Sequence, residues 1–173
     1  SKKLLNEKSN IKINSEYSKF CKISENIFLK RKSKKIIILR ISNLFGPFRN
    51  KPSFIEKIIL NYFYKKKYEL NNKSLIRSYL SINEFSKIIQ KIIISNFKKE
   101  IYNISNPNNI RNSKNIINFF EKKFKTKINS FNKQEIIIKN SIISSKLFEK
   151  KYKFKFENKF ENNLLNLIKL YKL

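Results

Sequence analysis

Apolar positions in this chain recur with a helical period in some segments and run together in others. Between 16 and 30, Tyr17, Phe20, Cys21, Ser24 and Phe28 follow one another at three- and four-residue spacing behind Ser15. That spacing predicts a helix with this face turned inward and Ser15 as its N-cap. Lys35 to Ser42 is a continuous apolar run of the length of a buried strand, closed by Gly46 and Pro47. From Pro52 a second helix is expected to bury Ile55, Ile58, Ile59 and Tyr62, followed by strand-like stretches at Tyr68 to Leu70 and Leu75 to Leu80. Ser81 with Glu84 three positions later reads as a capping box for a helix that buries Phe85, Ile88, Ile89 and Ile92. A short strand at Ile101 to Ile104 and a helix at Ser113 to Phe124 with Ile116, Ile117, Phe120 and Phe124 inside come next. A strand at Glu135 to Lys139 and a last amphipathic helix through Phe160, Leu164, Leu167, Ile168 and Tyr171 complete the pattern.

Strands alternate with helices over connections long enough for parallel crossovers, so the expected class is α/β. The length of 173 residues suits one compact unit. Neither an internal repeat nor a linker-like stretch divides it. The apolar runs at 36–39 and 92–94 are each closed by Lys, Arg or Ser, far short of the roughly 20 residues a membrane helix needs, so no membrane partner is expected.

Composition changes the picture in two ways. Forty Lys and Arg against twelve acidic residues give a net charge of +28, which predicts attraction to phosphates. The chain also has no Ala, Val, Asp, His, Met or Trp and one Gly, with Lys, Asn, Ile and Phe in great excess. Usage of that kind follows A+T-rich coding, so the lysines read as a solvated surface, with a functional basic face as the alternative. A lone Cys21 implies no disulfide and a cytoplasmic setting. Without His or Asp, no metal site is expected.

Two segments carry candidate chemistry. SEYSKFCKISE (15–25) is followed by IIILRISNLFGP (36–47). Together they resemble the pair that extended short-chain dehydrogenases/reductases, the NAD-dependent epimerase/dehydratase family, write as Tyr-x-x-x-Lys on a helix, a Glu four residues on, and a strand ending Leu-Arg-x-x-Asn-x-Tyr/Phe-Gly-Pro. Here these are Tyr17, Glu25, Leu39, Arg40, Asn43, Phe45, Gly46 and Pro47. IRSYLSINEFSKIIQKII (76–93) resembles the family's Arg-Asp-Phe-x-x-Val-x-Asp segment, and IYNISNPNNIRNSKNIINFF (101–120) its Tyr-Asn-Ile-Gly segment, in the same order and spacing.

The resemblance implies the C-terminal part of a Rossmann-like parallel sheet with a small α/β substrate-binding region. Residues 1–50 would end the NAD(P)-binding part, and 51–173 would form the substrate-binding region interleaved with the last elements of the sheet. It implies Tyr17 as the acid/base that exchanges a proton with a sugar hydroxyl, and Asn43 and Arg77 as substrate-binding residues, with Arg77 on the diphosphate of a nucleotide sugar. A guanidinium fork suits paired phosphate oxygens, and Arg is scarce here beside Lys, which points to a geometric need at Arg40 and Arg77. The complete family enzyme uses NAD or NADP, makes sugars for polysaccharides, and allows a homodimer.

The chain departs from the family in two places. Four residues after Tyr17, on the same helical face, stands Cys21 where the family's lysine lowers the phenol pKa from about 10. Lys22 lies roughly 100° further round the helix, and Cys21 is expected as a small buried hydrophobe. One glycine cannot write the Gly-rich turn that cradles a dinucleotide pyrophosphate, so no cofactor-binding residue is assignable. The expectation is a piece of a longer protein, beginning at Ser1 without Met, that does not bind NAD by itself. Two alternatives stand beside it: an inactive homologue, and a basic nucleic-acid-binding protein suggested by the charge and by aromatics interleaved with lysine as in YKFKFENKF.

Overall fold

The computed structural model describes residues 4–47, 50–64, 75–128 and 142–171. The chain runs β1 (Leu4–Leu5), α1 (Glu16–Lys30), β2 (Ile37–Ile41), β3 (Asn43–Phe45), α2 (Phe54–Tyr64), β4 (Ile76–Ser81), α3 (Ile82–Ile93), β5 (Glu100–Ile104), a 3-10 turn at Pro107–Asn109, β6 (Ile110–Asn112), α4 (Ser113–Phe124), β7 (Ile142–Ile143), α5 (Lys146–Tyr152) and α6 (Phe160–Tyr171). The α/β class follows. The strands expected at Tyr68 to Leu70 and Glu135 to Lys139 lie outside the described residues.

Three parallel pairings, β1 with β7, β2 with β5 and β3 with β4, stand beside one antiparallel pairing of β4 with β6, which extends the β3–β4 pair to three strands. The strand expected over Lys35 to Ser42 is β2, and a second strand, β3, follows it at once. Ser42 donates its N–H to Ile104 O at 2.9 Å, the last bond to β5, and the next residue, Asn43, already pairs with β4. The backbone thus passes from one pairing to another at a single serine.

Alternation along β4 divides the core. Tyr79, with Phe45 of β3, faces a cluster built on Ile55, Ile58 and Ile59 of α2, Ile116, Ile117 and Phe120 of α4, and Leu164, Leu167 and Ile168 of α6. Leu80 faces the opposite cluster of Ile88 and Ile92 of α3, Tyr102 and Ile104 of β5, and Phe148 and Tyr152 of α5. Helices on both sides of a mainly parallel sheet are what strands without a polar face require. Tyr62, Phe85, Ile89 and Phe124, expected inside, are half-buried at the rims of these layers.

Gly46 is set by close approach. A Cβ built there would stand 2.8 Å from Ile82 Cγ2, so the turn after β3 can press against the start of α3 only without a side chain. Its N–H donates to Glu56 Oε1 at 2.8 Å, and the other oxygen of that fully buried carboxylate takes the Ser53 N–H at the start of α2. Scarcity of glycine shows at helix ends too. The left-handed residues after α4 and α5 are Lys125 and Lys153, positions that glycine more often fills.

Candidate functional site

α1 begins as its sequence requires. Ser15 Oγ accepts from the Ser18 N–H and Ser18 Oγ accepts from the Ser15 N–H, a reciprocal capping box. Its orientation, however, reverses the expectation. Tyr17 is 78% exposed and Phe20 68%, Phe28 is half exposed, and Cys21 is exposed. Of this helix only Glu25 is buried. The periodic spacing is real, but the apolar face points away from the body of the chain, so the inward face and the buried Cys21 are both corrected.

What ties α1 to the rest is an ion pair. Arg40 of β2 donates from Nε to Glu25 Oε2 at 2.9 Å and from Nη2 to Oε1 at 2.7 Å, and its Nη1 reaches Glu7 O at 2.9 Å. This fork meets the geometric need that the scarcity of arginine suggested. Lys22 Nζ lies 3.2 Å from the same Oε1, so it serves Glu25 and does not stand in for the lysine missing at position 21. The Arg40 guanidinium, with Lys22 behind it, holds the Glu25 carboxyl below its ordinary range against the opposing effect of burial.

The Tyr17 phenol is shifted the other way. A hydrogen bond with the Cys21 thiol raises its pKa above the ordinary 10.0. A cation at that position would lower it. The contact with the sulfur therefore leaves the phenol a weaker acid than an ordinary tyrosine.

Asn43 and Arg77, 34 residues apart in sequence, are brought together. Arg77 Nη1 donates to Asn43 Oδ1 at 3.0 Å, and Asn43 Nδ2 donates to Ser78 O at 3.1 Å. Asn43 thereby aims the guanidinium, using both ends of its amide to do so. Tyr17 makes no hydrogen bond to either residue. Beside them, burial pushes the Tyr79 phenol up to about 12 despite the lowering influence of Arg77.

A second guanidinium was not anticipated. Arg111 of β6 is the Cα partner of Arg77 on β4, so both side chains rise from one face of an antiparallel pair. Arg111 donates to Asn108 O and Ile110 O, and its guanidinium carbon lies 5.4 Å from the centroid of the Phe160 ring. No local periodicity announces such a pair; only strand register does.

No family model matches the sequence, and no curated protein does. Solved structures do match. A dTDP-glucose 4,6-dehydratase from Bacillus anthracis str. Ames in complex with NAD superposes with a TM-score of 0.85 at 19% identity, over 98% of this chain and 56% of that one. A UDP-N-acetylglucosamine 4-epimerase from Methanobrevibacter ruminantium M1, in complex with UDP-N-acetylmuramic acid, gives 0.80 at 20% identity, over 97% and 57%. MoeE5 in complex with UDP-glucuronic acid and NAD gives 0.86 at 12% identity, over 98% and 59%. The fold is that of the C-terminal half of epimerase/dehydratase structures. The resemblance read from four sequence segments is thus borne out at the level of the fold, and the chain spans a little over half the length of the structures it matches.

On this epimerase/dehydratase half-fold, the described residues include no glycine turn of the kind that cradles a dinucleotide's pyrophosphate. The sole glycine packs on Ile82 and spends its N–H on Glu56. Among the described residues no group of His, Cys, Asp or Glu could hold a metal ion, and no helix is long and apolar enough to cross a membrane.

Proposed function

We propose that this chain is the substrate-holding part of an NAD-dependent enzyme that epimerises, dehydrates or reduces a nucleotide sugar, in the synthesis of polysaccharide sugars. Residues 1–50 with β5 would end the Rossmann-like sheet, and the remainder of 51–173 would hold the substrate. The hydrogen-bonded pair of Asn43 and Arg77 carries the reading. It presents an oriented guanidinium on the sheet face where Arg111 supplies a second, and two opposed cations suit a diphosphate. Tyr17 is the acid/base in this reading. The solved structures of like fold support it through the NAD, UDP-glucuronic acid and UDP-N-acetylmuramic acid bound in them.

Calorimetric titration tests the proposal. UDP-glucose or dTDP-glucose should bind, and Arg77→Ala should weaken binding by about 10- to 100-fold, the loss of charge-assisted hydrogen bonds worth about 1.5–3 kcal/mol. NAD should not bind this chain at micromolar concentration. Equal affinity of Arg77→Ala for the nucleotide sugar would remove the basis of the assignment.

One observation favours an inactive homologue as a second reading: the thiol beside Tyr17 acts against its ionisation. Cys21→Lys should move the Tyr17 titration downward, because it removes the raising hydrogen bond and adds a cation on the same helical face. NMR titration of ring-labelled tyrosine reads this directly. An unmoved Tyr17 would show that position 21 does not set its acidity. The nucleic-acid reading gains no such support. Exposed lysines stand on α1 (Lys19, Lys30), α3 (Lys87, Lys91), α4 (Lys114, Lys122), α5 (Lys150, Lys151) and α6 (Lys169), spread over the elements and not gathered on one.

A further inference from the structure

Two basic segments far apart in sequence meet where β2 and β5 begin. The first, KRKSKK (30–35), links α1 to β2, and the second, FKKE (97–100), leads from α3 into β5. Parallel register sets Ile37 beside Glu100, and the Glu100 N–H donates to Ile36 O at 3.0 Å, so Lys98 and Lys99 lie beside Lys34 and Lys35. Lys99 Nζ donates to Arg31 O at 2.5 Å and ties the two segments together. Seven of these ten residues are cations, against 40 of 173 in the whole chain, so coding bias alone does not account for their density. The one acid among them, Glu100, accepts from the Tyr102 hydroxyl, and no salt bridge among the described residues neutralises any of the seven. At the same end α3 stops on two bare aliphatic side chains, five residues before Glu100. Ile93 is 69% exposed and Ile94, the C-cap, 80%. The core contacts of α3 are made by Ile88 and Ile92, so the packing of the helix does not call for these two.

We infer that this end of the sheet docks on an anionic phospholipid bilayer, with Ile93 and Ile94 entering the headgroup boundary and the cations of 30–35 and 97–100 lying against the phosphates. Clustered cations beside an exposed aliphatic pair supply both parts of interfacial binding, attraction to anionic lipid and burial of apolar surface. Nucleic acid would take the charge, but it stacks its bases on aromatic rings, and the one ring within these segments, Phe97, packs against the core. Contact of this kind is made at the surface and needs no spanning helix, of which the described residues have none. Asn43 follows the opposite end of β2, so docking leaves the pair of Asn43 and Arg77 uncovered.

Flotation of the whole chain with phosphatidylcholine vesicles containing about a third phosphatidylserine, near physiological ionic strength, tests this. The chain should bind these vesicles and not pure phosphatidylcholine. A net charge of +28 attracts any anionic surface, so location is the decisive reading. Lys32→Glu/Lys34→Glu/Lys98→Glu should weaken binding by about 30-fold or more. Lys114→Glu/Lys122→Glu/Lys169→Glu, with the same net charge but on α4 and α6, should change it by less than about threefold. Ile93→Ser/Ile94→Ser should weaken it by about tenfold. Circular dichroism of each variant separates loss of binding from loss of the fold. Because the chain has no Trp, Ile94→Trp supplies a single indole, whose emission should shift to the blue on the anionic vesicles. No binding, equal losses from the two triple variants, an indole that does not shift, or full binding by Ile93→Ser/Ile94→Ser would each overturn the inference. Tighter binding to a single-stranded oligouridylate than to the vesicles, lost in Lys32→Glu/Lys34→Glu/Lys98→Glu, would assign the surface to nucleic acid and overturn it as well.

Discussion

Asn106→Ala should cost about 3–5 kcal/mol of folding stability at neutral pH, by the removal of buried partners from a buried charge. The Asn106 side chain is fully buried between three parts of the fold. Its Nδ2 donates to both oxygens of Glu84, at 3.0 and 2.8 Å, and to Glu157 O at 2.9 Å, while Oδ1 accepts from the Asn108 N–H. Its carbonyl takes the Ser78 hydroxyl of β4. Glu84, on the first turn of α3, is 2% exposed, and without the Asn106 side-chain amide its carboxylate would keep the Glu157 backbone N–H.

The pH dependence identifies the cause. Burial raises the Glu84 pKa above its ordinary 4.5, and the hydrogen bonds from Glu157 and Asn106 lower it part of the way back. A carboxyl whose folded pKa is raised binds its proton more tightly folded than unfolded. Stability therefore falls as pH rises from 4.5 through the folded pKa. Asn106→Ala removes a lowering contact, so it should widen that window, and the variant should regain part of its lost stability on acidification. Chemical denaturation at a series of pH values between about 4 and 8 measures this. A loss that is the same at every pH would mean that packing, and not the Glu84 charge, was removed.

Glu25→Ala should cost about 3 kcal/mol, the low end for a broken buried pair because Arg40 keeps partial contact with solvent. Its pH signature is opposite. The Glu25 pKa is lowered below 4.5, so its stabilisation is fully present above that value and is lost as pH falls through the folded pKa. The wild-type chain should weaken in acid where Glu25→Ala, already without the pair, should show less of that slope. Thermal unfolding at pH 7 and near pH 3 distinguishes the two. An equal acid slope in both proteins would remove Glu25 from the account. Because Arg40 also anchors Glu7 O, Arg40→Ala should loosen both α1 and the segment before it.

Much of the secondary structure was legible along the chain, because helix periodicity and caps are local. The helix at 113–124 has the extent that its spacing announced and buries Ile116, Ile117 and Phe120 as expected, the last helix buries all five residues that its spacing named, and Ser15 and Ser81 cap the helices they precede. The fold was also legible, through four segments in a recognisable order and spacing. The site was legible in its residue types alone. That Asn43 and Arg77 meet depends on β3 lying beside β4, and that Arg111 stands across from Arg77 depends on the register of β6.

Glu84 shows where local reasoning stops. The sequence Ser-x-x-Glu announces a reciprocal cap, and Ser81 does accept from the Glu84 N–H. The carboxylate, however, is drawn away to Asn106 and Glu157, partners distant in sequence. α1 shows the same limit on a larger scale. Its sequence by itself determined that it is a helix with an apolar side, since that follows from spacing within 15 residues. Which way the side faces was decided only by the tertiary structure. An apolar face states that something must cover it, not what, and here the two-pronged bond of Arg40 to Glu25 fastens the polar side to the sheet and turns Tyr17, Phe20 and Ile23 outward.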